Sequence, residues 1–220
     1  MLFFDLEFYV PPNARNDPNK RGTLIFNPGK RDHIILGGHF IQKRIGDRPG
    51  IKNIRSEQSF WVWNEGNEKS VLNNIYHIFN QEWMEQKHHR VKILHKTLRD
   101  IITVGIGISR IDLPSLYIRS DFHRTKSRSR LFEIFLKTKV IDLSNTGSFL
   151  FRNEYILYPK TQNELLRILA PARKPKKGGK GVWKNYEKHN YKQIEARCKE
   201  EVRQILMMYE NLQKKITHQE

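Results

Sequence analysis

The pattern of hydrophobic and polar residues predicts a chain that begins with strands and ends with a long helix. Residues 1–10 are rich in apolar and β-favouring side chains, which indicates a strand close to the first residue. Similar short runs, separated by turn-forming glycine, proline and asparagine, predict further strands. These lie at residues 23–26, 34–41, 59–63, 101–108 and 139–143.

Apolar residues with the period of a helix occupy three other segments. They predict a helix from residue 67 to about residue 85, a short helix at 161–169 and a long one at 191–215. Segment 101–108 is apolar almost throughout, as is typical of a strand buried on both faces of an α/β sheet. The predicted fold class is therefore α/β.

Length and charge narrow the class of protein. A chain of 220 residues with 38% hydrophobic residues suits a single domain. Its formal net charge of +17 favours a polyanionic partner such as nucleic acid. The sequence contains neither an apolar run of about 18 residues nor a basic amphipathic helix, so no membrane partner is expected. The single cysteine, Cys198, excludes an internal disulfide. Because the start of the chain lacks a basic leader, we expect a cytoplasmic protein.

Two carboxylates stand two residues apart in the first predicted strand. Because side chains alternate between the two faces of a strand, Asp5 and Glu7 project from the same face. Two like charges held together on a buried strand are costly unless a cation lies between them. The pair therefore indicates a divalent-cation site, although the solvated acidic face of an edge strand has the same pattern.

Two further carboxylates occupy positions from which they could join this pair. Asp112 follows the apolar run 101–108 and precedes Pro114, which suits the N-cap of a helix at the carboxyl end of a strand. An Asp that only caps a helix, with no role in a site, would occur in the same sequence context. In the last helix, Glu201 comes three residues after Cys198 and flanks the apolar stripe. We therefore expect its carboxylate to reach inward.

Two basic segments accompany the acidic residues. Residues 119–130 have the composition of a basic surface segment, and residues 171–184 that of a flexible basic loop. Such a loop could grip phosphates or serve as a solvated connector, and Trp183 could stack on a base. The residues predicted to contact nucleic acid are Arg110, Arg124, Lys126, Arg128, Arg173, Lys174, Lys176, Lys177, Lys180 and Trp183.

The order and context of the acidic residues resemble the DEDD-type 3′–5′ exonucleases, which have the ribonuclease H-like fold. The first motif of that family is Asp-x-Glu on the first strand, which Asp5-Leu6-Glu7 matches. The second is an Asp ahead of a helix with Pro two residues later, and Ile111-Asp112-Leu113-Pro114 is similar to it. The third is an Asp followed by Val near the start of the last helix, which Glu201-Val202 resembles with Glu in place of Asp. The resemblance spans roughly residues 2–212.

The third motif departs from the family pattern, in which a His precedes the last acid by five residues or a Tyr precedes it by four. Counting back from Glu201 gives Ala196 and Arg197, neither of which is an ordinary base. Counting back from Glu195 gives Tyr191 at four, but this acid is not followed by Val. Glu201 and Glu195 are therefore alternative positions for the fourth acid, with Glu201 preferred.

The resemblance implies a mixed sheet flanked by helices, a long C-terminal helix and one ribonuclease H-like domain over residues 1–220. It also implies two Mg²⁺ or Mn²⁺ ions, which prefer carboxylate oxygens and can stabilise both the entering and the leaving oxygen of a phosphodiester. The implied metal ligands are Asp5, Glu7, Asp112 and Glu201, with Glu195 or Asp142 as alternatives for the fourth position. Tyr191 and His189 are the candidates for the base that activates water.

The expected function is that of a metal-dependent exonuclease acting from the 3′ end of single-stranded DNA or RNA. The same residue pattern is compatible with two other functions. One is a ribonuclease H-like module that binds nucleic acid and has lost its catalytic site, and the other is a structure-selective endonuclease.

Overall fold

The computed structural model describes residues 1–15, 26–44, 53–88, 92–93, 96–97, 100–146, 162–171 and 180–217. Residues 23–25 of one predicted strand lie outside the described residues. Four predicted nucleic-acid contacts, Arg173, Lys174, Lys176 and Lys177, also lie outside the described residues. For Lys180 the backbone is described but the side chain is not. Within the described ranges, none of the helices has both the length and the hydrophobicity of a membrane span.

A mixed sheet of five strands lies at the centre of the described structure, in the order β3-β2-β1-β6-β7. The strands, in chain order, are β1 (Leu2–Tyr9), β2 (Ile34–Lys43), β3 (Ile54–Trp61), β4 (Lys92–Ile93), β5 (Lys96–Thr97), β6 (Ile102–Gly105) and β7 (Lys139–Asp142). β1 is antiparallel to β2 and parallel to β6, and β4 pairs separately with β5. β1 is therefore the middle strand, with a partner on each side.

Helices cover the two faces of this sheet. They are α1 (Pro12–Arg15), α2 (Val62–Glu65), α3 (Glu68–His88), α4 (Asp112–Phe122), α5 (Arg128–Leu131), α6 (Leu143–Thr146), α7 (Gln162–Leu169), α8 (Lys180–Glu187) and α9 (Tyr191–Thr217). A π-helical turn, Phe132–Leu136, follows α5. The predicted α/β class, with a mixed sheet, flanking helices and a long C-terminal helix, is confirmed and is consistent with a ribonuclease H-like fold.

Side chains of β1 alternate between two hydrophobic clusters, as the strand period predicts. Phe4 belongs to the cluster that includes α3, and its ring lies 5.5 Å from that of Phe79. Phe3 belongs to the cluster that includes α9, and its ring lies 5.4 Å from that of Tyr209. Phe3, Asp5 and Glu7 therefore face α9, whereas Tyr9, beyond an irregularity between Glu7 and Phe8, packs against Tyr186 of α8.

The apolar run 101–108 forms a shorter strand than its composition predicts. β6 ends at Gly105, and the chain then turns through Gly107, whose φ is +72°. Ile108 folds back so closely that a Cβ on Gly105 would lie 2.3 Å from its side chain. Ile108 is fully buried by this turn. The apolar run is therefore divided between a strand and a buried turn.

Two other element boundaries differ from the prediction. The sequence predicts a strand at 59–63, whereas β3 begins at Ile54, because polar residues of this edge strand such as Glu57 pair with side chains on α9. The predicted basic loop 171–184 overlaps α8, which begins at Lys180. Val182 is buried in the core and anchors that helix.

Arg119, expected on a basic surface, is instead one of the most buried residues, with 1% of its surface exposed. Two of its guanidinium nitrogens pair with Glu68 at the start of α3, Nε with Oε1 at 2.9 Å and Nη2 with Oε2. It also donates to the carbonyl oxygen of Lys30 at 2.8 Å. Glu68 in turn accepts from the backbone N–H of Ile35 at 2.7 Å. This buried pair joins α4 to α3 and to β2.

Arg119→Ala should lower the free energy of unfolding by about 3–5 kcal/mol, because it leaves the Glu68 carboxylate buried without its main counter-ion. Urea denaturation measures this change. Arg128→Ala is the matched control, since that arginine also pairs with a carboxylate, Asp121, but has a side chain 79% exposed. The control should unfold at nearly the wild-type urea concentration. Equal losses in the two variants would contradict the importance of the buried pair.

Candidate functional site

The acidic pair of β1 lies on the face of the sheet that α9 covers. Oxygen atoms of Asp5 and Glu7 and the sulfur of Cys198 all lie within 4.8 Å of one another. The Cys198 thiol donates to the backbone carbonyl of Asp5, with 3.4 Å between sulfur and oxygen. The expectation that the two carboxylates are neighbours is confirmed, and a thiol from α9 joins them.

α9 adds a carboxylate and an arginine to this pair. Arg197 Nε lies 2.7 Å from Oε1 of Glu201 and 3.5 Å from Oε1 of Glu7. Arg197 and Glu201 are four residues apart in the helix, so their side chains lie on adjacent turns of one face. Glu201 and Glu7 are buried, with 3% and 7% of their surface exposed. The guanidinium therefore bridges carboxylates from α9 and β1.

Asp112 approaches the same strand just beyond the end of β6. It is the first residue of α4, after the N-cap position at Ile111, so the predicted N-cap is displaced by one residue. Its Oδ1 instead accepts a hydrogen bond from the backbone N–H of Leu6 at 3.2 Å. β6 pairs with β1 at Leu2 and Phe3 and ends before this point, so Asp112 supplies an acceptor beyond the end of β6. The contact places Asp112 beside the residue that separates Asp5 from Glu7.

The site contains one neutral thiol and one fixed positive charge. Burial raises the pKa of the Cys198 thiol well above its ordinary value, and the charges of Asp5, Glu7 and Glu201 raise it further. Burial lowers the pKa of Arg197, but the charges of Glu7, Glu201 and Asp5 outweigh that effect and raise it. Near neutral pH the cysteine is thus protonated and the arginine charged, so the anionic groups of the cluster are carboxylates.

The alternative fourth acid, Glu195, lies with aromatic residues. Its Oε1 accepts a hydrogen bond from the indole N–H of Trp63 at 2.7 Å. Tyr191 stacks on the same indole, with ring centroids 4.5 Å apart and planes 4° apart, and its hydroxyl lies 2.6 Å from Nδ1 of His189. Of the two glutamates, Glu201 is therefore the one that shares an arginine, Arg197, with a carboxylate of β1.

Asp142, the other alternative for the fourth acid, accepts hydrogen bonds from the loop that leads into Asp112. Its Oδ1 accepts from the backbone N–H of Gly107 at 2.9 Å, and its Oδ2 accepts from the hydroxyl of Ser109 at 2.7 Å. The Ser144 hydroxyl also donates to Oδ1 at 2.6 Å. These contacts give Asp142 a structural role in that loop, and its place among the metal ligands stays a prediction.

Gly38 was not recognised from the sequence as part of the site. It lies on β2 opposite Leu6, where a Cβ would stand 2.6 Å from the backbone carbonyl of Asp5. Two adjacent glycines within an apolar strand pattern, Gly37 and Gly38, are the signal that could have indicated such a close approach of backbones. Arg197 was also missed, although its spacing of four from Glu201 is that of a helical ion pair.

The predicted nucleic-acid contacts that the structure describes are mostly exposed. Arg110, Arg124 and Lys126 are exposed, and Arg128 pairs with Asp121 at the surface. Trp183 is half-buried and donates its indole N–H to the backbone carbonyl of Phe8 at 3.0 Å. This contact gives Trp183 a structural role between α8 and β1, and its stacking on a base stays a prediction.

A similar fold occurs in the family B DNA polymerase from the hyperthermophilic archaeon Pyrobaculum calidifontis. The match has a TM-score of 0.58 at 16% sequence identity and covers 96% of this chain but 24% of the polymerase chain. At this identity the likeness concerns the fold. No protein-family model matches the sequence, and no curated protein matches it in sequence.

Asp142→Ala should destabilise the protein at neutral pH by roughly 3 kcal/mol, because several hydrogen bonds to a charged carboxylate are lost. Burial raises the pKa of Asp142, but hydrogen bonds from Ser144, Ser109 and Gly107 outweigh it and hold the pKa below its ordinary value. A depressed pKa in the folded state means that the ionised form stabilises the fold above the unfolded-state pKa of about 4. Denaturant unfolding at several pH values should therefore show the difference from wild type shrinking as the pH falls below about 4. A difference independent of pH would contradict this role.

Proposed function

We propose that this protein is a metal-dependent 3′–5′ exonuclease that acts on single-stranded DNA or RNA. The observation that carries the proposal is the convergence of carboxylates from three distant parts of the chain on the middle strand of the sheet. β1 carries Asp5 and Glu7, α4 brings Asp112 to the Leu6 N–H, and α9 brings Glu201 to the arginine that also contacts Glu7.

The donor atoms of this cluster suit a hard divalent cation. Mg²⁺ and Mn²⁺ prefer carboxylate oxygens, and one carboxylate oxygen in each of Asp5, Glu7 and Glu201 is wholly buried. The thiol of Cys198 remains protonated and is a poor ligand for these ions. When bound, two such ions would activate water and stabilise charge on the entering and leaving oxygens of a phosphodiester.

Each carboxylate then has a proposed role. Asp5, Glu7, Glu201 and Asp112 would hold the ions, Asp5 and Glu7 from β1, Glu201 from α9 and Asp112 from α4. Asp142 would act indirectly, because it ties the loop that leads into Asp112.

The general base is proposed to be Tyr191 or His189. The 2.6 Å contact between the Tyr191 hydroxyl and His189 Nδ1 orients that hydroxyl and gives its proton an acceptor. Tyr191 is the first residue of α9 and stands ten residues, nearly three turns, before Glu201, and His189 lies just ahead of the helix.

A nucleic-acid substrate is supported by the charge of the chain and by its fold. A net charge of +17 gives strong attraction to a phosphate backbone. The exposed residues Arg110, Arg124 and Lys126 could track the strand, and the basic residues 173–177 could add to this grip. The likeness in fold to a DNA polymerase is in keeping with such a substrate.

A second candidate function is that of a nucleic-acid-binding module without catalysis. The observation that favours it is the guanidinium of Arg197 between Glu7 and Glu201, since a positive charge there can replace a metal ion. Such a module would bind single strands with strong salt dependence and would leave them intact.

Asp5→Ala should abolish release of nucleotides from a 5′-labelled single strand in Mg²⁺ or Mn²⁺ while leaving the circular dichroism spectrum unchanged. Excess chelator should have the same effect on the wild type, because both changes remove the proposed metal ions. Asp121→Ala, which removes a carboxylate at the surface, is the matched control and should retain full activity. The products should shorten stepwise from the 3′ end.

A circular single strand separates the competing functions in the same assay. The proposed exonuclease leaves the circle intact, whereas cleavage of the circle would establish a structure-selective endonuclease. Binding of both substrates without cleavage by the wild type would establish the binding module. Cleavage that persists in Asp5→Ala or in chelator would overturn the proposed site.

Glu201→Gln should reduce cleavage by about 100-fold or more, because loss even of a group that merely orients a metal ligand costs about 10–100-fold. Glu201→Asp keeps the charge and should retain measurable cleavage. Glu195→Gln is the control on the same helix and should have a small effect, since its carboxylate contacts Trp63. Single-turnover rates measure all three variants, and the reverse ranking would transfer the fourth position to Glu195.

A further inference from the structure

Arg197 places a positive charge inside the acidic cluster, where the proposed function requires a metal ion. Its Nε lies 2.7 Å from Glu201 and 3.5 Å from Glu7, and its side chain is 17% exposed. A guanidinium is charged at every ordinary pH, so this positive charge is a permanent part of the site. Any metal ion that enters must share these carboxylates with it.

Another arginine of α9 shows that this arrangement differs from an ordinary ion pair. Arg203 contacts one carboxylate, Glu57, through two parallel bonds of 3.0 Å, Nε to Oε1 and Nη2 to Oε2. Nε of Arg197 instead lies at ion-pair distance from carboxylates of two different elements, as donor to Glu201 and 3.5 Å from Glu7. Its contacts are those of a counter-ion for a cluster of negative charges.

We propose that Arg197 is a built-in counter-ion that competes with divalent metal ions for Glu7 and Glu201. The inference rests on the proposed function, because it takes the carboxylate cluster to be a metal site. Two physical effects produce the competition. At Glu201, the oxygen lone pair that accepts the Nε–H of Arg197 is not available to a metal. At both glutamates, the charge of the guanidinium repels a nearby cation. Metal binding at these two glutamates therefore requires the guanidinium to give them up.

The same guanidinium would also stabilise the cluster when no metal is bound. Buried carboxylates repel one another, and Arg197 offsets this repulsion at Glu7 and Glu201. Loss of the arginine should therefore have two opposite effects, which are weaker folding in chelator and tighter binding of metal. A merely structural arginine would produce the first effect without the second.

Titration with Mn²⁺, followed by electron paramagnetic resonance of the free ion, tests the proposal without any assay of cleavage. Arg197→Gln should lower the Kd for Mn²⁺ by about tenfold, equivalent to about 1.4 kcal/mol. Arg197→Lys keeps the positive charge and should stay near the wild-type Kd. Arg203→Gln is the matched control, because it removes an arginine from the same helix whose described carboxylate partner, Glu57, lies outside the cluster. It should leave the Kd unchanged.

Thermal unfolding supplies a second readout. Arg197→Gln should melt below the wild type in chelator, and saturating Mn²⁺ should raise its Tm by more than it raises that of the wild type, since tighter binding to the native state gives greater stabilisation. If the variant does not fold in chelator, Mn²⁺ should restore its folding. Failure of Mn²⁺ to restore it would overturn the proposal.

The outcomes for this inference and for the proposed function are distinguishable. Suppose that the wild type binds Mn²⁺, that Asp5→Asn removes this binding, and that Arg197→Gln has an unchanged or higher Kd. This result would overturn the counter-ion role and leave the metal site in place. Binding by Arg197→Gln but not by the wild type would support the counter-ion and count against the proposed catalysis. Binding by neither protein would overturn both.

Discussion

Electrostatic repulsion among Asp5, Glu7 and Glu201 is the constraint that the structure around β1 has to satisfy. Carboxylates from a middle strand and from the helix that covers it are brought together where little water can reach them. Such a group is tolerated when hydrogen-bond donors and a cation accompany it. Arg197 supplies part of that compensation within the chain. The remaining negative charge is what makes the cluster a candidate for metal binding.

The hydrophobic architecture determines how accurately these charges can be placed. β1 has a partner strand on each side, and its apolar side chains from Leu2 to Leu6 alternate between two clusters. α4 begins at Asp112 and is fixed two turns later by the buried pair of Arg119 with Glu68. A charge pair far from the carboxylates therefore helps to set the position of one of them. Stability and site geometry depend on the same contacts.

The sequence was informative where a single element determines the geometry. The period of a strand sufficed to place Asp5 beside Glu7, and helical spacing sufficed to turn Glu201 inward. Contacts between elements could not be predicted in this way. Arg119 has the composition of a surface residue until its partner Glu68, 51 residues earlier, is brought against it. The acceptor role of Asp112 toward Leu6 likewise depends on where β6 ends, which the apolar run 101–108 does not reveal.

The close approach of Gly38 to Asp5 has a consequence for how substitutions in this protein would be interpreted. Any side chain at Gly38 has to displace the backbone of β1 at the residue that carries an acidic side chain of the site, since its Cβ would lie 2.6 Å from the Asp5 carbonyl. In a saturation mutagenesis experiment scored by activity, Gly38 would thus be as intolerant as a metal ligand, although it has no group that could bind metal or substrate. Intolerance to substitution at this position reports on main-chain geometry. A map of intolerant positions would therefore include residues that fix the backbone around the site as well as the residues of the site itself.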